Sequence, residues 1–180
     1  MIDRPDFCEA MSRLVGAVTI ITTDGPAGLG GFTASAVCSV TDDPPMLLAC
    51  MNRSSRQHAV FKGNGVLCVN VLSAAQEKVS RTFASAATVE ERFQDERWTV
   101  LETGAPALDR ALVNFDARIV QTVEAGTHSI FLCGIVTVRI QPEDHPGLAY
   151  YRRRYHPVAG QKQDEIHDMQ PFLRPLSEHL

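Results

Sequence analysis

Apolar positions recur along this chain with two periods, and the switches between them mark out its elements. Phe7, Met11 and Leu14 are spaced as on one face of a helix, so residues 6–15 are predicted to form a short amphipathic helix. Four strand-like runs follow, at 17–23, 29–40, 46–51 and 66–71, separated by turn chemistry such as "DGPAG" and "DDPP". "RQHAVFKGNG" fits a brief helix that stops at its glycines. Ser73 and Gln76 match a capping box, with Val79 and Phe83 as the apolar edge of the helix behind it. Thr88 and Glu91 repeat that signature.

Two long runs come next, 113–123 and 129–141, joined by "EAGTH". In the first, Val113, Phe115, Ala117 and Ile119 alternate with Asn114, Asp116 and Arg118, as in a half-exposed strand. The second is mostly apolar on both faces, as expected of a strand buried in a barrel or under a partner. Residues 148–151 are placed to close the sheet. Alternating βαβ units are absent, so a doubly wound sheet is excluded; a mainly β fold, a closed or split antiparallel barrel with peripheral helices, fits the pattern. Beyond Val158 the chain is polar, carries Pro171 and Pro175 and loses periodicity. One domain over 1–158 and a tail over 159–180 are expected.

Composition adds limits. At 180 residues the chain suits one domain, and a net charge of −4 gives no general attraction to nucleic acid or anionic membrane. The five cysteines are odd in number and form no C-x-x-C pair, and four lie in apolar runs. They read as core thiols of a reducing compartment, and with no long apolar run the expectation is a soluble, cytoplasmic protein without a structural metal. G-x-G-x-x-G before a helix, the P-loop and H-E-x-x-H are all missing.

Four segments remain as carriers of chemistry. "GGFTASAVCSV" at 30–40 is strand-like, yet its middle is stripped of bulk, which marks a close approach of backbone to something else. That something is either a tight sheet contact or a planar heteroaromatic ring held by main-chain amides. "CMNRSSRQ" at 50–57 places Ser54 and Gln57 at capping-box spacing, so Ser54 is expected to open a helix whose N-terminus, with Ser55 and Arg53 or Arg56, suits a phosphate. A capped surface helix with solvated arginines is the alternative. His128 follows a Gly-Thr turn, where it is either simply exposed or set beside a cofactor. All three tyrosines fall in "AYYRRRYHP", which reads either as a nucleotide-stacking surface or as a basic strand edge.

Taken together, "GGFTASAVCSVTDDPPMLLACMNRSS", "NGVLCVNVLSAAQE", "GTHSIFLCGI" and "YYRRRYHPV" resemble the short-chain flavin reductases, the reductase components of two-component flavin-dependent monooxygenases. The resemblance runs from about Phe7 to Val158. It implies a split β-barrel of the FMN-binding type, a homodimer with flavin near the subunit interface, and hydride transfer from NADH (or NADPH) to FMN or FAD. Reduced flavin would then diffuse to a partner monooxygenase acting on an aromatic compound. By position, Thr33, Ala34, Ser35 and Ala36 would line the flavin ring; Asn52, Ser54, Ser55 and Arg56 would meet the ribityl chain and phosphate. Arg81 and Phe83 would reach the phosphate or adenine side, and His128, Arg154 and Tyr155 would lie near the nicotinamide. A flavin carrier without turnover, or an oxidase like those acting on pyridoxamine phosphate, would use the same barrel.

Overall fold

A computed structural model describes residues 2–142 and 145–159 of the chain, so the expected tail beyond residue 159 lies outside the described residues. Helix α1 (Arg4–Met11) comes first, followed by β1 (Gly16–Ala17), β2 (Thr19–Thr23), β3 (Gly30–Ala34), β4 (Val37–Asp42) and β5 (Pro45–Asn52). Then come α2 (His58–Asn64), β6 (Val66–Val71), α3 (Glu77–Ala84) and α4 (Val89–Phe93). The rest is β: β7 (Trp98–Val100), β8 (Pro106–Leu108), β9 (Val113–Ala125), β10 (His128–Ile140), β11 (Gly147–Tyr151) and β12 (Arg154–Val158). Seven strands form one antiparallel sheet in the order β3-β2-β6-β9-β10-β5-β4. Its two edges, β3 and β4, are consecutive in the chain and joined only by Ser35 and Ala36. Three Cα steps reach about 11 Å at most, so at this end the two edges of the sheet come together.

The expected run over 29–40 is therefore two strands, because its smallest residues carry the chain from one edge of the sheet to the other. The run over 17–23 is also divided. Val18 donates its N–H to Leu148 and accepts from Leu72, so the chain crosses at Val18 from the small sheet β1-β11-β12 into the large one. For the same reason 148–151 does not close the main sheet; it is the central strand of the small one. Strands β7, β8 and β12 give no usable sequence signal: two are only three residues long, and the third begins inside an arginine run.

Both faces of β2 are covered, and all five of its residues are buried. On one side Ile21, Val69, Leu67, Ala117, Phe131 and Ala49 surround Phe61 of α2. On the other, Ile20, Leu72 and Leu108 pack under Val79 and Phe83 of α3. Burial of this kind is worth about 1.5–3 kcal/mol for each large side chain. The capping boxes at Ser73/Gln76 and Thr88/Glu91 both form. The first opens a single 3-10 turn that leads into α3.

Three expectations fail. Helix α1 ends at Met11 and buries nothing, with Phe7, Met11 and Leu14 all about half exposed or more. In β9 the expected wet positions Asn114 and Asp116 are buried, because they enter a polar cluster under β8 and the preceding turn. The cysteines are divided, with Cys68 and Cys133 buried but Cys8 and Cys38 exposed. Burial pushes the Cys133 thiol up to about 12. No helix among the described residues is long and apolar enough to cross a membrane.

Candidate functional site

The stretch that opens β3 turns out to have two uses. A Cβ on Gly30 would sit 2.4 Å from Gln57 Oε1, and one on Gly31 would sit 2.6 Å from the Phe83 ring. The glycines thus make room for the protein's own side chains. The Phe83 ring is 2% exposed and packs against Phe93 and Trp98 at centroid distances of 5.1 and 5.6 Å. Phe83 is a core residue, which corrects its expected role at a ligand.

Past the glycines the strand becomes accessible. Thr33 donates its hydroxyl to Ser80 O at 2.6 Å, and Thr19 donates to Ala34 O at 2.8 Å. Ser35 and Ala36 are exposed, and Gly16 lies under Ser35 so closely that a Cβ there would come within 3.2 Å. Ser80 also bonds the Tyr155 hydroxyl at 3.0 Å. The Arg81 guanidinium, held by Glu77 at 2.6 Å, lies over the Tyr155 ring at 4.7 Å, and Tyr150 meets that ring edge-on. Thr33, Ser35, Ala36, Arg81 and Tyr155 are therefore one neighbourhood. Ser80, Gly16 and Tyr150 complete it; Ser80 and Gly16 have no motif of their own and are visible only once the strands pair.

Arg154 is exposed on the same hairpin, whose two-residue turn, Arg152 and Arg153, has φ of 46° and 61°. Such turns favour Asn and Gly, so two arginines here are strained. The turn is held from α1: Arg152 donates its N–H to Ser12 O at 2.7 Å, and Arg153 pairs with Glu9 at 2.8 Å.

The second neighbourhood is reached along β5. Cys50 donates its N–H to Ala36 O, and Asn52 lies two residues further, about 7 Å along the strand. His128 is directly opposite Asn52 in the β5–β10 register. Asn52 Oδ1 accepts from both the N–H and the hydroxyl of Ser54, each at 2.9 Å. No helix starts at Ser54. The chain turns through 53–57 and α2 begins at His58, without a side-chain cap. The expected dipole for a phosphate is replaced by an Asn-centred turn with Ser54, Ser55 and Arg56 on or near its surface, because Asn52 claims the Ser54 hydroxyl. Arg53 donates to Thr127 O from its backbone and to Gly126 O from its side chain, joining this turn to the one that carries His128.

One carboxylate anchors these turns from below. Glu124 accepts from Ser129 at 2.7 Å and lies 3.3 Å from Arg53 and 3.4 Å from Lys62. The Ser129 hydrogen bond first, and then Lys62 and Arg53, hold its carboxyl below the ordinary range. His58 extends the chain through a 2.8 Å contact to Ser129. Above the turns lies a cavity of about 990 Å³, walled by Asn52, Arg53, Ser54 and residues 126–128 on one side and by α1 on the other. A chain of contacts links Tyr155 through Tyr150, Gly16, Ser35 and Ala36 to Cys50, Asn52 and His128. The site is bare in the middle and rich in hydrogen-bond donors at both ends, which suits a flat, phosphate-bearing ligand.

Residues 11–159 match the family described as flavin reductase like domain. FMN reductase (NADH) RutF of Serratia proteamaculans (strain 568) is 52% identical over 160 residues, covering 89% of this chain and 91% of that protein. The NADH:FAD oxidoreductase SgcE6 of Streptomyces globisporus C-1027, solved with NAD and FAD fragments, superposes with a TM-score of 0.82 at 28% identity, covering 89% and 96% of the two chains. BorF, the flavin reductase component of a bacterial two-component tryptophan halogenase, gives a TM-score of 0.81 at 26% identity, covering 88% and 100%.

Proposed function

The chain belongs to the flavin reductase-like domain family and is a flavin-reducing enzyme; from that premise we propose that it oxidises NADH, reduces FMN or FAD, and releases the reduced flavin to a partner monooxygenase acting on an aromatic compound. FMN and NADH are put first, being the pair named for the relatives at about half identity. In balance, NADH gives a hydride and solvent gives a proton, leaving NAD+ and dihydroflavin.

The observation that carries this reading is the open Ser35–Ala36 link between the two donor-rich neighbourhoods. When bound, the flavin supplies a ring that takes up the hydride and later gives its electrons to oxygen. The protein has to seat and orient two ligands, which is where most of such a barrier is lowered. Thr33, Ala34, Ser35 and Ala36 offer a wall without bulk. Asn52, Ser54, Ser55 and Arg56 supply donors for a ribityl chain and phosphate. His128, opposite Asn52, orients the nicotinamide, with Arg154 and Tyr155 at the other end and Arg81 stacked behind Tyr155.

We read the sheet as a split barrel closed at the Ser35–Ala36 link, and the active form as a homodimer that covers the open apolar face of β9 and β10. The functional test mixes purified protein, NADH and either flavin and follows the nicotinamide absorbance. Flavin-dependent NADH loss is expected, and its absence with both FMN and FAD rejects the reading.

A further inference from the structure

The cavity above the Asn52 and His128 turns has a wall that the family match leaves out. That match begins at residue 11, whereas α1 runs from Arg4 to Met11, and Arg4, Phe7 and Cys8 face the same 990 Å³ space as Asn52, Arg53, Ser54 and His128. Resting on the flavin-reductase reading, we propose that α1 completes the ligand site and that Arg4 binds a phosphate group of the incoming flavin or nicotinamide nucleotide.

Helical spacing sorts the charges of α1. Positions 4, 7 and 8 share one face, one turn apart, while Asp6 and Glu9 fall on the opposite side. Glu9 is occupied there by Arg153 and Arg13, and Asp3 is occupied in capping Asp6 N–H. Among the described residues, the cavity lining thus carries two guanidinium groups, Arg4 and Arg53, and no carboxylate. Arg53 is already paired with Glu124, whereas Arg4 has no ion pair among the described residues. A guanidinium with no ion pair among the described residues, beside the Ser54 and Thr127 hydroxyls that Asn52 and His128 already engage, matches a phosphate oxygen.

Stability points the same way. An eight-residue helix that buries nothing is marginal by itself, yet this one is fixed in place from outside. Its far end is held by Arg152 N–H on Ser12 O and by the Glu9–Arg153 pair. The strained arginine turn therefore has a use: it sets α1 over the cavity with Arg4 inward.

Binding to the intact protein, followed by flavin fluorescence quenching and equilibrium dialysis, tests this with pairs of probes that differ in phosphate. FMN is compared with riboflavin, and reduced nicotinamide mononucleotide with reduced nicotinamide riboside. Arg4→Ala is expected to weaken one phosphate-bearing member about tenfold and its phosphate-free counterpart by less than about twofold. Arg4→Glu should lose more, and Arg4→Lys should regain most of the affinity. The flavin pair and the nicotinamide pair decide which phosphate it is. Equal loss within both pairs, or no loss in either, overturns the proposal. Wild-type protein that binds neither FMN nor NADH overturns the flavin-reductase reading as well, whereas wild-type binding with an unaffected Arg4→Ala variant overturns the Arg4 role alone.

Discussion

Among single residues, Ser35 and Gly31 separate the two uses of one small-residue stretch. Ser35 is exposed at the open link, so Ser35→Phe should fill the seat and lower flavin affinity by at least about tenfold, with the melting temperature nearly unchanged. Wild-type affinity in that folded variant would place the ring elsewhere. Gly31→Ala should act in the opposite way. Its Cβ would press on the Phe83 ring at 2.6 Å, costing about 1–3 kcal/mol of stability with little direct effect on the ligand. The bareness of the stretch was legible in the sequence, but its division was not, because Gln57 and Phe83 reach Gly30 and Gly31 only through tertiary packing. Phe83 follows its helical spacing, which put it on the apolar edge, rather than the ligand-side place implied by the resemblance: its ring is buried against Trp98. Glu124 gives a prediction of another kind. Its carboxyl is held below the ordinary range, so its contribution to stability is present above that range and is lost as pH falls through its lowered value. Glu124→Gln should therefore melt earlier than wild type at neutral pH, and the two melting curves should converge as pH falls below the ordinary carboxylate range.

At the scale of elements, periodicity located strands well and served poorly where the chain changes sheet. The hairpin β9–β10 and its Gly126–Thr127 turn follow the "EAGTH" signal through a glycine of positive φ, but the alternation before it marks the strand and not its wet face, since Asn114 and Asp116 are buried while Val113 and Phe115 are only partly so. The crossing at Val18 and the link at 35–36 leave none, being set by which strand edges are left to pair. Nor could the lone turn at Ser54 be told from a helix cap, as Asn52 and Ser54 satisfy both motifs until the competing hydrogen bonds are seen. The short strand β8 is held by a buried polar cluster instead of by length. Asn70 donates to Ile20 O at 2.9 Å and accepts from Leu108 N–H and Asn114 Nδ2 at 2.7 Å each, and Arg139 donates to Leu108 O at 3.0 Å. Asn70→Leu keeps the branched shape but overfills the site and leaves the Leu108 N–H without its side-chain acceptor in the core, while Asn114 keeps only its 3.2 Å bond to Leu108 O. It should cost about 3 kcal/mol or more, read by urea denaturation, with the change falling on stability before flavin binding. A loss below about 0.5 kcal/mol would show that water or a neighbour replaces it.

For the whole molecule, the decisive feature is apolar surface that the described residues leave uncovered. Val136, Val138 and Ile140 occupy alternate positions of β10 at 42, 40 and 71% exposure, and Val120 and Val123 of β9 stand open at 61 and 39%. A monomer seldom shows so many β-branched residues on one pair of strands, and a long flat strand pair of this kind invites association. Under the proposed homodimer this is also what the double-sided apolar pattern of the second run means: the cover for its second face, which the described residues leave open, comes from the other copy. The proposed homodimer places its contact here, and the same contact brings a second subunit against the strands that carry His128 and Asn52. Light scattering on the purified protein should give about twice the 19.7 kDa chain mass. Val136→Lys combined with Val138→Lys should shift it to the monomer, because two ammonium groups cannot be buried in an apolar contact without partners. A dimer that survives both lysines would move the interface to another face, most plainly the exposed side of α1. If the monomeric variant also loses NADH oxidation while keeping its far-ultraviolet spectrum, the site needs the second copy; unchanged turnover would show that each chain works alone.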